Sequence, residues 1–159
     1  LRRDLAMTLR RTGFARSQLG GDGTRDLRTS RTILVALSAE SPADLRRQRD
    51  VGWASLYVAQ DVVKEERGHA EATQLFKTGA VNIVAVCAAE PTVADYRNDV
   101  VTIVRGVCEA LVSIGRVAEA AVVRENALLV LQPIAEEQPE NIALGRVIEN
   151  LLAIKVDTP

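Results

Sequence analysis

The chain has 159 residues, 47% of them hydrophobic and 26% charged, with a net charge of −1, which is length enough for one domain with a sizeable core. Aromatic residues make up only 3%, which argues against an aromatic-rich β-sandwich. No run of 18 apolar residues occurs to mark a membrane span, and Cys87 and Cys108, 21 residues apart with no C-x-x-C pair, fit neither a redox motif nor a zinc site.

Taken in chain order, hydrophobic spacing predicts seven helices. The first pair covers 2–19 and about 24–39, joined by the turn GGDG. The second pair covers 43–66 and 69–89 across an RGH turn. The fifth helix is the clearest. In DVVTIVRGVCEALVSIG, residues Val100, Val104, Val107, Leu111 and Ile114 recur at helical spacing, Val101, Cys108 and Val112 widen the stripe, and Gly115 follows as a stop. Its partner covers 117–137, where Pro133 is expected to kink or tighten the last turns. A last helix at about 140–155 has no partner and is expected to act as a cap with a more polar outer face. Ser41, Thr92 and Asp95 are the candidate N-caps near the repeat starts, and each proline is expected beside such a start.

The pairs are copies of one another. Pro42, Pro91 and Pro139 lie 49 and 48 residues apart, within AESPADLRRQRDV, AEPTVADYRNDVV and AEEQPENIALGRV. With Asp4, Asp50 and Asp99 in register, Leu5, Val51 and Val100 coincide, as do Gly13, Ala59 and Cys108 in mid-helix, where a small side chain lets a second helix approach. The implied division is one repeat domain over 1–159, with repeats at about 1–41, 42–90 and 91–138 and a terminal helix at about 139–156. A period of this length predicts an all-α, right-handed α-solenoid of stacked antiparallel hairpins, in which no hairpin buries its apolar stripe alone.

These features resemble tetratricopeptide (TPR) repeats. The third copy carries Cys108, Leu111, Gly115, the AEA of 118–120, Ala127-Leu128 and Pro133; the second keeps Ala59, Val62, Ala72 and Phe76; the first keeps Gly13 and Gly20. The period exceeds the roughly 34 residues usual for the family. It looks like the long-period arrays appended to bacterial signalling proteins, some serine/threonine kinases among them. The resemblance implies that the first helix of each pair lines a binding groove, with Met7, Arg10 and Phe14, then Trp53, Leu56 and Gln60, then Thr102, Arg105 and Glu109 facing it. Phe14 and Trp53 are the candidate anchors, since aromatic and Arg side chains dominate protein interfaces.

Other motifs have plainer readings. His69 is the single histidine, at a turn beside Glu65 and Glu66, too few groups for a metal site. GGDGTRD at 20–26 lacks the Lys-Ser/Thr of a phosphate loop and follows a helix, so it reads as the inter-helix turn. No nucleophile–base constellation stands out, so no catalytic residue, cofactor or metal is expected. Residues 1–31 hold eight Arg and three acids, about +5, against −3 over residues 132–159. An Arg-rich end attracts acidic partners or nucleic acid, although the spread of these arginines along a helix reads more simply as a solvated face. The expectation is a non-catalytic protein- or peptide-binding scaffold, such as a regulatory segment of a larger bacterial signalling protein. Two alternatives stand beside it: a self-associating structural repeat, and a nucleic-acid-binding repeat acting through the first hairpin. With both thiols in apolar runs and no signal peptide visible, the expected compartment is the cytoplasm. Because the chain begins at Leu1 rather than Met, a longer parent protein is expected.

Overall fold

The computed structural model describes residues 1–156, and these are all-helical. The helices are α1 (Arg2–Gln18), α2 (Thr24–Glu40), α3 (Leu45–Val62), α4 (His69–Ala89), α5 (Ala94–Ser113), α6 (Val117–Glu137) and α7 (Ile142–Leu152), with a short 3₁₀ turn at Glu66–Gly68 before α4. Glu66–Ala89 is the one described helical stretch long and apolar enough to cross a membrane, and half of its 18-residue apolar window is buried within the protein, as in a core helix.

The period near 49 residues appears in backbone detail. Helices α3, α5 and α7 begin at Leu45, Ala94 and Ile142, each three residues after one of the spaced prolines. Each proline occupies the second position of a tight turn, closed by Asp44 N–H to Ser41 O at 3.0 Å, Val93 N–H to Glu90 O at 3.2 Å and Asn141 N–H to Gln138 O at 2.9 Å. Proline's fixed φ suits that position. The Pro42 carbonyl accepts from Gln48 Nε2 at 2.5 Å and the Pro91 carbonyl from Arg97 Nη1 at 2.8 Å, so side chains at matching positions make the same bond.

The expected caps need correction. Ser41 closes α2, Thr92 lies inside the turn, and Asp95 lies in the first turn of α5, whose N-cap Val93 makes no side-chain bond. The capping side chains are Asp44, accepting from Arg47 N–H at 3.2 Å, and Asn141, accepting from Leu144 N–H at 3.2 Å. The reason is geometric: the proline turn occupies the residues in between and moves each helix start downstream. Two ends also fall short of expectation. Helix α3 stops at Val62 rather than 66, because Lys64 and Glu65 switch to short-range bonds with Asp61 and Val62. Helix α7 stops at Leu152, yet Ile154 and Val156 stay buried, which explains why the apolar spacing ran on.

Turns between paired helices repeat as well. Gly20 and Gly115 have φ of 80° and 75°, the left-handed conformation that ends a helix cheaply only at glycine. Gly21 N–H then reaches Arg16 O at 3.0 Å, and Arg116 N–H reaches Leu111 O at 2.8 Å, the same closing bond in both.

By internal contacts the chain forms two compact units, Leu1–Gly79 and Ala80–Pro159, with the boundary inside α4. In the first, Ala6, Leu34, Leu37, Val51 and Ala54 make a cluster joining α1, α2 and α3, with Ile33 at its edge. Helices α1 and α2 touch backbone to backbone at Gly13 and Gly23. Buried Ser30 donates to Ala6 O at 2.7 Å, and Arg47 Nη1 donates to Leu37 O at 2.6 Å, placing a cation at the α2 C-terminus. In the second, α5, α6 and α7 share a core that includes Val104, Leu111, Leu131, Leu144 and Leu151. Cys108 lies against α6, its thiol 3.4 Å from Ala120 O, as expected of a small mid-helix residue. Burial pushes the Cys87 and Cys108 thiols up to about 11, so both are inert at neutral pH.

Asp61 ties three elements of the first unit together. Its side chain is 7% exposed and accepts from Ser17 Oγ of α1 at 2.6 Å, from Thr24 Oγ1 of α2, and from Lys64 Nζ at 2.8 Å. Burial pushes this carboxyl up, but the bonds from Lys64, Ser17 and Thr24 outweigh it and leave the carboxyl below its ordinary 3.8. A depressed carboxylate stabilises the fold above its unfolded value, and that contribution is lost as pH falls through the lower folded value. Asp61→Asn is therefore expected to cost about 1–3 kcal/mol near neutral pH, with the gap to the parent narrowing below about pH 4. Urea titrations followed by the fluorescence of Trp53, the single tryptophan, check this; a gap independent of pH would contradict it.

Candidate functional site

Helical spacing puts Arg3, Met7, Arg10 and Phe14 on one face of α1, and Arg46, Arg49, Asp50, Trp53 and Tyr57 on one face of α3. Between the two helices lies a hollow of about 300 Å³. Arg3, Met7 and Arg10 line it from α1; Arg46, Arg49, Asp50, Trp53 and Tyr57 line it from α3.

Tyr57 organises one wall. Phe14 meets its ring edge-on at 4.8 Å between centroids, and Trp53 stacks on it at 5.9 Å. The Arg10 guanidinium sits 5.4 Å from the Tyr57 centroid, a cation–π arrangement that strengthens as water is excluded. Burial lowers the Arg10 pKa from its ordinary value, opposed by Tyr57 and Asp50. Asp50 is the one acid in the lining, buried and bonded by Arg3 Nε at 2.7 Å. That bond raises the Arg3 pKa against the effect of burial. The lining thus holds four guanidiniums against one carboxylate, next to a shelf of three rings.

Met7, Arg10 and Trp53 line this hollow, and Phe14 supports it through Tyr57. Leu56 does not belong to it. It is 4% exposed and turned toward α4, where a Cβ on Gly79 would lie 2.8 Å from its Cγ. The repeat register makes Leu56 the counterpart of Arg10, but α4 covers that side of α3. Gln60, Arg105 and Glu109 are exposed. Thr102 lines a separate hollow of about 410 Å³ between α5 and α7, with Arg97 and Asn98 on one side and Arg146 and Asn150 on the other. Met7 and Thr102 occupy the same place in the repeat register, so each unit has a hollow between helices two apart in the chain. Tyr57, Arg3, Arg46 and Arg49 escaped the sequence reading, in which Asp50 served only to set the repeat register, although Tyr57 stands four residues after Trp53 and the others keep the same helical spacing.

The Arg-rich first hairpin is less free than its composition suggests. Arg2 pairs with Glu40, Arg3 with Asp50, Arg16 with Asp26 and Arg28 with Glu71, while Arg31 bonds Ser55 Oγ at 3.0 Å. Among the described residues, no group of three or more His, Cys, Asp or Glu side chains is placed to hold a metal ion. Comparison with protein-family models, with curated proteins and with solved structures yields no match for this chain.

Proposed function

We propose that this chain is a non-catalytic, TPR-like helical repeat that binds protein or peptide segments, stacked as a right-handed α-solenoid and serving as a regulatory segment of a larger bacterial signalling protein. The repeated proline turns, helix starts and glycine closures support the repeat reading. The observation that carries the binding reading is the α1–α3 hollow. It joins a half-buried Trp and Tyr to guanidinium groups, the residue types that anchor peptides at interfaces, and its size suits one or two side chains rather than a folded partner.

The test is to pan a random peptide display library on the immobilised chain and titrate enriched peptides by fluorescence anisotropy. Trp53→Ala is expected to weaken them about tenfold or more, since truncating a central aromatic anchor costs above about 1.4 kcal/mol. Arg105→Glu, on an exposed face of α5, is expected to leave them unchanged. Enriched peptides indifferent to Trp53→Ala would remove the hollow from the account.

A further inference from the structure

The hollow's charge is poorly matched to its walls. Four arginines and no lysine line it, and the single acid, Asp50, is already bonded by Arg3. Arg10 is half-buried over the Tyr57 ring with an aromatic face, not a carboxylate, as its close neighbour. Arg3 is bonded to Asp50 and Arg49 is engaged as well, so Arg10 and Arg46 leave two positive charges for a ligand. A guanidinium held where burial disfavours its charge gains most from an anion brought into the same space.

Two properties distinguish the anions that fit. Arginine presents planar N–H forks that pair two-on-two with carboxylate or phosphoryl oxygens. A carboxylate offers two oxygens and one charge. A phosphomonoester offers three oxygens and a charge of about −1.5 to −2 at neutral pH, which matches the two positive charges of Arg10 and Arg46. The Trp53–Tyr57 shelf adds an apolar wall beside the cations, suited to the side chains that flank an anionic residue in a peptide. The hollow of the second unit has a weaker claim, since its Arg97 is already committed to the Pro91 carbonyl.

We propose that the α1–α3 hollow receives a phosphorylated side chain of an extended peptide, with Arg10 and Arg46 holding the phosphoryl oxygens and the Trp53–Tyr57 shelf packing against neighbouring residues. This rests on the peptide-binding reading and names the ligand's chemistry. Arg46 is exposed on α3 and reaches the hollow from the rim; Arg10 holds its floor against Tyr57.

The experiment uses four degenerate peptide pools, alike except that the central residue is phosphotyrosine, phosphoserine, glutamate or tyrosine. Each is titrated against the parent, Arg46→Ala and Arg10→Gln, with Trp53 fluorescence melts confirming that the variants fold. At least one phosphorylated pool is expected to bind the parent about tenfold or more tightly than the tyrosine and glutamate pools, and to lose about that factor in both arginine variants. Arg46→Ala removes an exposed side chain, so it keeps the test valid if Arg10→Gln disturbs the shelf. If phosphorylated and unphosphorylated pools bind alike and both depend on Trp53, the phosphate assignment falls and the peptide reading stands. If the glutamate pool matches the phosphorylated ones, the requirement for a dianion falls. If no pool binds, both readings fall.

Discussion

Gly23→Ala is expected to destabilise the first unit by about 3 kcal/mol or more, the upper end of overpacking penalties. A methyl at this position would sit 2.0 Å from the Gly13 carbonyl oxygen and 2.8 Å from the Gly13 carbonyl carbon. These are backbone atoms of α1, so no rotamer change can relieve the clash; α1 and α2 must separate. That separation would strip the cover from Leu27, which lies against Gly13, and would strain the Ser30 bond to Ala6 O. Gly23 has φ of −98°, an angle alanine adopts freely, so the penalty is steric and not conformational. Alanine also restricts the unfolded chain, which by itself would stabilise by about 0.4–1 kcal/mol; a net loss therefore measures the clash against an opposing trend. Gly106→Ala is the internal control. It lies inside α5 with nothing within 4 Å of an added Cβ, and is expected to be neutral or to gain up to about 1 kcal/mol. Urea unfolding followed by circular dichroism compares the two. Equal behaviour of the two variants would show that the Gly13–Gly23 contact does not hold the first hairpin.

Phe76→Ala is expected to cost about 3–5 kcal/mol, the range for emptying the site of a buried phenylalanine. Phe76 is 1% exposed and heads the fully buried side chains by volume. It lies on α4 within the first unit. Phe14, the other phenylalanine of the chain, is half-buried beside Tyr57 at the hollow, and Phe14→Ala is expected to cost clearly less. The two variants separate core from surface with one chemistry. Fluorescence of Trp53 reports both: Phe76→Ala should lower the unfolding midpoint with a native-like starting spectrum, and Phe14→Ala should alter the starting spectrum through Tyr57 with a smaller shift in midpoint. A smaller loss for Phe76→Ala than for Phe14→Ala would overturn this placement.

Much of the site lay in the helix register and was legible. Met7 and Arg10 share a face of α1 because positions three and four apart on a helix are neighbours, and the hollow they line also takes in Trp53 of α3. Leu56 was misplaced because helical spacing says which residues go together, not which neighbour covers them. Tyr57 was overlooked because its role depends on Phe14 and Trp53 reaching it from two helices.

Local physics accounts for what the amino-acid order determined alone: seven helices, the turn glycines Gly20 and Gly115, the 49- and 48-residue spacing of the prolines, and the small residues Gly13, Ala59 and Cys108 at buried mid-helix positions. Each depends on backbone preferences and on periodicities only a few residues long. The tertiary structure alone decided the pairing of Arg3 with Asp50, the knot that Ser17, Thr24 and Lys64 make on Asp61, the burial of Leu56 against α4, and the hollow itself. Those depend on how closely and at what angle helices cross. That geometry is set by a few backbone contacts, such as Gly13 on Gly23, between residues whose proximity no local pattern records.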